Sequence, residues 1–154
     1  MDLASFRGES SCVECLMLHN ASCESRELTM SRTPMHSAAL NNNEECLKIM
    51  TLITNSRMEQ NRLDRTFETC AYVYDDTLKT SFYNSKLANL KDNFERTPLM
   101  LAAEQGHLNT VTFLVNQMGA DVLVSDSKGR TALHRAVSFF IFLFCTINLT
   151  DYLL

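Results

Sequence analysis

The sequence predicts an all-α fold, a solenoid of stacked helix pairs, from three observations. A threonine-led helix start recurs at Thr97 and Thr131, which lie 34 residues apart, close to the period of a repeat made of a turn and two helices. Between these starts, Gly106 and Gly119 stand where the first and second helices of such a unit would end. A single helix pair cannot bury its own apolar faces, so we expect about three to four stacked repeats, some partial or degenerate.

Segment 94–126 has the clearest repeat pattern. The hydroxyl of Thr97 is suited to accept from an unpaired backbone N–H at a helix start, and Pro98 follows with a preset φ. Gly106 is expected to end this short helix, and residues 121–128 to form the hairpin that leads to the next unit. The second helix is expected to place its apolar residues in the core, namely Leu108, Val111, Phe113, Leu114 and Val115.

Segment 31–62 repeats this pattern upstream, starting at Thr33 and Pro34. Asn42 stands where the later unit has Gly106, and asparagine is the non-glycine residue that best tolerates a left-handed backbone. The segment therefore predicts a complete helix pair. The buried side of its second helix is expected at Leu47, Ile49, Met50 and Ile53.

Segment 1–30 predicts a partial repeat, consisting of a second helix and its connection. Residues 14–16 have the same Glu-Cys-Leu sequence as residues 45–47 in the next unit. Since no helix start precedes them, we expect the chain to begin inside a repeat. Cys12 and Cys15 have CxxC spacing, but no second pair follows, which favours two small residues on a helix over a metal or redox site.

Segment 63–93 is open to two interpretations. Thr66 lies 33 residues after Thr33, which allows a degenerate repeat whose second helix ends near residues 86–89. Alternatively the segment is an inserted loop, because it lacks both the Thr-Pro start and the Gly-His turn. Asp75 and Asp76 form an acidic pair here without the neighbours that would make them catalytic.

Segment 127–154 begins as a repeat at Gly129 and then departs from the pattern. Residues 138–149 are apolar without amphipathic spacing, and they are too short to span a bilayer, which needs roughly 20 residues. We therefore predict a partial repeat with an apolar C-terminal tail that is foreign to the repeat, as in a truncated or alternatively ended chain.

Composition is that of an ordinary globular protein, with 45% hydrophobic and 21% charged residues. A net charge of −4 gives no electrostatic basis for binding nucleic acid or an acidic membrane. Residues 1–11 carry charges and no apolar h-region, so the six cysteines are expected to be in a reduced compartment, cytoplasmic or nuclear. The sequence has no phosphate-binding loop, nucleophile elbow or HExxH motif, so we predict no catalytic residue, cofactor or metal site.

The helix starts at residues 97–99 and 131–136 resemble the ankyrin repeat. Together with residues 13–16, 32–39 and 45–47, these segments follow one another along the chain in a similar order to the segments of an internal part of the regulatory ankyrin-repeat subunits of protein phosphatase 6. This resemblance implies an ankyrin solenoid with short hairpin connections. It also implies a non-enzymatic scaffold that binds other proteins, such as a protein phosphatase catalytic subunit or its substrates. The chain departs from the pattern at 54–93, at Glu95 where the hairpin expects glycine, and in the tail.

A partner-binding face is predicted where the last hairpin and the first helices point away from the stacked core. Two alternatives remain open: an enzyme with an unrecognised site in 67–91, and a truncated chain without binding function. His36 and His134 follow cap threonines by three residues, and His107 lies in an interhelical turn, so all three are expected to be structural. The predicted partner-binding residues are Glu104, Gln105, Asp126, Lys128, Arg130 and Arg135.

Overall fold

The computed structural model describes residues 1–63 and 83–138, and every regular element in these two ranges is a helix. The prediction of an all-α fold made of helix pairs is confirmed. In chain order the helices are α1 (Asp2–Arg7), α2 (Ser10–Leu18), α3 (Pro34–Leu40), α4 (Glu44–Leu63), α5 (83–88), α6 (Pro98–Glu104), α7 (Leu108–Asn116) and α8 (132–138).

Cap threonines precede α3 and α6, the first helices of two repeats, as predicted. Thr33 and Thr97 both have extended backbone, and a proline follows each of them as the first helical residue. The Thr97 hydroxyl accepts from the backbone N–H of Met100 at 3.4 Å. At Thr33, the backbone N–H and the hydroxyl instead reach the Nδ1 atom of His36, at 3.2 and 2.8 Å. The histidine therefore helps to fix this helix start.

Left-handed backbone marks equivalent turns along the array. Asn42 has φ 58°, close to the 73° of Gly106, so the asparagine adopts the left-handed conformation that was predicted for it. Glu95 also has a positive φ, although the hairpin pattern favours glycine there. The three residues that precede an arginine in the hairpins share this conformation: Ser31 (φ 55°), Glu95 (φ 59°) and Gly129 (φ 72°).

The first unit is a complete helix pair, so the prediction that its first helix is missing was wrong. Helix α1 packs against α3, in the same way that α2 packs against α4. The Asn43 side chain joins the two units by donating to the carbonyl oxygens of Ser5 and Phe6, at 2.7 and 3.0 Å. Helix α1 was not evident from the sequence because its N-cap residue is Met1, which forms no side-chain cap.

Helix α4 has 20 residues, whereas α2 and α7, the other second helices, have nine each. Helix α3 packs directly against α6, and α4 contacts α7. The α6–α7 pair is thus the direct neighbour of the α3–α4 pair. Both interpretations of segment 63–93, a degenerate repeat and an inserted loop, stay predictions, because residues 64–82 lie outside the described part of the chain. Thr66, Asp75 and Asp76 lie outside the described residues, as does most of the 67–91 region.

Helix α5 is bonded to two neighbouring repeats of the array. The Ser85 hydroxyl donates to the Gly119 carbonyl oxygen at 2.9 Å. On another side of the helix, Tyr83 and Lys86 both donate to the Glu24 carboxylate, at 3.1 and 2.9 Å. Together these bonds attach α5 to the connections that follow α2 and α7.

One apolar core runs through the helix pairs. The predicted core residues Leu47, Met50 and Leu114 are fully buried. Leu108 is an exception, since it is 73% exposed and the prediction that it faces the core was wrong. It is the first residue of α7, where its side chain lies on the outer surface. Other core members include Val13, Met17, Met35, Ala38, Leu87, Leu99, Ala102 and Met118.

The apolar run at 138–149 begins at the last residue of α8, and residues 139–154 lie outside the described part of the chain. Within the two described ranges, no helix combines the length and the apolar character needed to cross a membrane.

Candidate protein-binding face

Asp126 organises the hairpin that leads into α8. Its side chain is 4% exposed, and its Oδ1 atom accepts the backbone N–H groups of Lys128 and Arg130, both at 2.9 Å. Its Oδ2 atom pairs with the guanidinium groups of Arg130 at 3.0 Å and Arg135 at 2.7 Å. Burial alone would raise the pKa of this carboxyl, but these donors outweigh it and hold the pKa far below its usual range.

Arg135 connects this hairpin to the preceding repeat. It lies on α8, is 6% exposed, and donates to the carboxylates of both Asp126 and Glu104, the last residue of α6. The prediction that Asp126 and Arg135 point away from the core was therefore wrong. A buried carboxylate needs a full set of donors, and Arg135 supplies part of that set. The charges of both residues contribute to folding.

The six predicted residues thus divide into two groups. Glu104, Asp126, Arg130 and Arg135 form one network of ion pairs, in which the Glu104 and Arg130 side chains are about one-third exposed. Gln105 and Lys128 are exposed. These last two, with the accessible parts of Glu104 and Arg130, remain placed to contact a partner.

The preceding hairpin repeats the same carboxylate geometry. Asp92 Oδ1 accepts the backbone N–H groups of Phe94 and Arg96, both at 2.9 Å, and Oδ2 pairs with the Arg96 guanidinium at 2.7 Å. Burial opposes the ionised form of Asp92, yet these hydrogen bonds lower its pKa. The sequence pattern that could have indicated this buried aspartate is an aspartate four residues before an arginine and five residues before a cap threonine. It occurs at Asp92 and again at Asp126.

Hydrogen bonds join the hairpin tips side by side. The backbone N–H of Asn93 donates to the Met30 carbonyl at 3.0 Å, and that of Ser127 donates to the Phe94 carbonyl at 3.1 Å. Met30 and Phe94 are exposed apolar residues on these tips, and the Arg96 guanidinium lies 4.8 Å from the centroid of the Phe94 ring. We call the surface formed by Met30, Phe94 and Lys128 on the hairpins, together with Gln105 at the end of α6, the hairpin edge. Sequence analysis missed Met30 and Phe94 because nothing in their spacing indicates exposure.

The histidines have structural roles, as predicted for His36 and His107. His36 is fully buried, and its Nε2–H donates to the Arg96 carbonyl of the next repeat at 2.9 Å. Burial is the main reason that its pKa falls to about 4, so the ring is neutral at physiological pH. His107 Nε2 donates to the Leu40 carbonyl at 3.0 Å. In His134, the Nδ1 atom lies 2.8 Å from the Thr131 hydroxyl.

The cysteines of the described ranges are dispersed. Cys12 and Cys15 are exposed on α2, whereas Cys23 and Cys46 are buried in the core. In residues 1–63 and 83–138, no three side chains of histidine, cysteine, aspartate or glutamate converge in the way that a metal ion requires.

Comparison with known proteins identifies this arrangement. A family model described as ankyrin repeats, three copies, matches residues 67–153, which is more than half of the chain. The crystal structure of the yeast ribosomal protein Rps3 in complex with its chaperone Yar1 contains a chain with a TM-score of 0.68 to this one. That similarity covers 100% of this chain and 91% of the other at 17% identity, so it concerns the fold alone. The chain belongs to the ankyrin-repeat family, whose members are in general non-enzymatic modules for protein–protein interaction.

Proposed function

We propose that this chain is a non-enzymatic scaffold that binds a partner protein along the hairpin edge. The observation that supports the proposal is the direct bonding between successive hairpin tips, from Asn93 to Met30 and from Ser127 to Phe94. Because the tips are already fixed relative to each other, a partner does not have to order them when it binds.

The exposed side chains of the hairpin edge determine which partner it fits. Phe94 supplies an aromatic ring that a partner can bury, and Lys128 supplies a positive charge on the neighbouring hairpin. Protein interfaces commonly combine a buried aromatic anchor with a polar rim. A suitable partner therefore offers an apolar pocket next to an acidic group, with Gln105 contributing hydrogen bonds.

Asp126 and Arg135 have an indirect role in this proposal. Their ion pair fixes the hairpin that carries Lys128, and Arg135 also anchors that hairpin to α6 through Glu104. They are positioning residues, while Glu104 and Arg130 can meet a partner through the accessible parts of their side chains.

A protein phosphatase catalytic subunit, or one of its substrates, is the proposed partner. The support is the order of the repeat segments, whose residues 32–39, 96–101 and 129–135 are similar to those of the regulatory subunits of protein phosphatase 6. On this proposal the chain corresponds to an internal part of such a regulatory array.

The test measures binding of the purified 154-residue chain to the recombinant catalytic subunit of protein phosphatase 6 by biolayer interferometry. We expect the double variant Phe94→Ala, Lys128→Ala to weaken binding at least tenfold, about the effect of one interface hot spot. Leu18→Ala, which alters an exposed leucine at the end of α2, is the matched control and should leave binding unchanged.

Two results would contradict different parts of the proposal. Absence of binding by the wild-type chain would exclude the phosphatase as the partner. Equal binding by the wild type and the double variant would exclude the hairpin edge as the contact surface.

A further inference from the structure

A second surface lies in the layer of second helices, away from the hairpin edge. There α4, α5 and α7 enclose a groove of about 910 Å³, which is within the range of about 300 to 1,000 Å³ that is usual for ligand sites. Leu52 on α4 and Leu108 on α7 are 65% and 73% exposed and form apolar parts of its walls. We call this surface the outer groove.

Carboxamide side chains give the outer groove its polar character. Asn84 lines the groove, is 6% exposed, and its buried Oδ1 atom has no hydrogen-bond partner. The Oδ1 atom of Asn55, which also lines the groove, is likewise buried without a partner. Native proteins leave few buried polar atoms unpaired, so two such atoms in one groove require an explanation. Three further amides line the groove: Asn109, Asn116 and Gln117.

Among the lining residues that the structure describes, the outer groove has no unpaired charge. Its charged residues are Glu44 and Lys48, and they neutralise each other in an ion pair of 2.9 Å. A phosphate, a nucleic acid or a strongly charged peptide would find no compensating charge there. The complementary ligand is therefore uncharged, with hydrogen-bond donors for the two free amide oxygens and apolar groups for the leucines.

We propose that the outer groove binds an extended, uncharged peptide segment of a partner protein. A carboxamide presents both an acceptor and donors, and it therefore complements the N–H and C=O groups of an extended backbone. In this arrangement the Oδ1 atoms of Asn55 and Asn84 accept backbone N–H groups of the peptide. Its apolar side chains pack on Leu52 and Leu108, which gives sequence preference in addition to backbone recognition.

The probe is a phage-displayed library of random heptapeptides that is selected on the purified, full 154-residue chain. Enriched sequences are then synthesised with a fluorescent label, and their binding is measured by anisotropy. We expect enrichment of uncharged peptides with apolar residues. Their affinity should fall about threefold to tenfold in Asn84→Leu, the loss that corresponds to one neutral hydrogen bond.

Asn84→Leu also distinguishes a ligand-binding amide from a structural one. Because the substitution removes a buried, unpaired oxygen and keeps the branched shape of the side chain, the variant should unfold at the same or a higher denaturant concentration than the wild type. A decrease in peptide affinity then cannot be attributed to unfolding. Asn55→Leu provides a second, independent variant with the same expected loss of peptide binding.

Asn89→Leu is the matched control from the same segment. The Asn89 side chain is already satisfied, because its Oδ1 atom accepts from the Asp121 backbone N–H at 2.9 Å and its Nδ2 donates to Ser85 at 3.2 Å. This substitution should lower stability and leave peptide affinity of the folded chain unchanged. The proposal is overturned if no peptide is enriched, if the enriched peptides are charged, or if they bind Asn84→Leu as tightly as the wild type.

Discussion

The starts of α3 and α8 share one local hydrogen-bonding motif, but they differ in their contacts with the neighbouring repeat. In both, a cap threonine hydroxyl lies 2.8 Å from the Nδ1 atom of the histidine three residues later. His36 is buried and its other nitrogen donates to Arg96 in the next repeat, whereas His134 is exposed. The start of α8 is instead held from the preceding side, by the ion pairs of Arg135. The motif thus sets the local bond, and the stacking neighbour sets the burial.

Removing Arg135 should have the largest effect on stability. Arg135→Ala leaves the buried Asp126 carboxylate with fewer donors and releases Glu104, so we expect a loss of about 3 kcal/mol in the free energy of unfolding. Guanidinium denaturation followed by circular dichroism measures it. Lys128→Ala, on the same hairpin but exposed, is the control and should change stability by less than about 0.5 kcal/mol. Equal stability of the two variants would show that α8 is not held by Arg135.

A smaller loss in the free energy of unfolding is expected when His36, the neutral side chain that bonds α3 to the next repeat, is removed. His36→Ala removes one of the two donors to the Arg96 carbonyl and leaves the buried Thr33 backbone N–H without its acceptor, which should cost about 2 kcal/mol. His134→Ala removes the same local bond at an exposed site and should cost well below about 1 kcal/mol. If the two alanine variants unfold at the same denaturant concentration, the contact of His36 with the next repeat does not contribute to stability.

The buried histidine also predicts a dependence of stability on pH. The folded-state pKa of His36 is about 4, below the ordinary histidine value of 6.5, so the unfolded chain takes up the proton first. Stability should therefore be complete above about pH 6.5 and decrease as the pH falls toward 4, with a loss of about 2 kcal/mol at pH 5. Denaturation curves at pH 7.5 and pH 5 test this expectation.

His36→Met provides the control for the pH experiment, because Met100 occupies the equivalent position of the next first helix. The variant lacks the titrating group, so its stability should change less between pH 7.5 and pH 5 than that of the wild type. His134→Met retains His36 and should therefore still lose stability between pH 7.5 and pH 5. A similar decrease in the wild type and in His36→Met would assign the pH effect to other groups.

Much of the fold was predictable because it depends on short-range signals. The threonine caps and the left-handed turn at Asn42 act within a few residues, and they were sufficient to locate α3, α6 and α8. Helix α1 was missed because Met1 lacks a cap side chain. The second helix of segment 31–62 was expected to end at Ile53, whereas α4 continues to Leu63, and residues 54–63 contain no glycine or proline that would end a helix early.

The sites were less predictable because they depend on which segments meet in space. The charge of Arg135 suggested an exposed position, but only the approach of α8 to the preceding hairpin shows that its partner is the buried Asp126. Asn84 is also far in sequence from α4 and α7, the helices with which it forms the outer groove. Residue type indicates what a side chain can bond, while its burial is decided by the stacking of the repeats.

The smallest expected effect concerns the two caps themselves. Thr97 makes one long cap bond of 3.4 Å to the Met100 backbone N–H, so Thr97→Ala should cost about 0.5 to 1 kcal/mol, in the lower part of the range for such caps. The Thr33 hydroxyl makes a shorter contact that also involves the His36 ring, and Thr33→Ala should therefore cost more. Thr97→Ser keeps the hydroxyl and should restore most of the loss at that position. An equal loss in the two alanine variants would mean that the histidine adds nothing to the cap of α3.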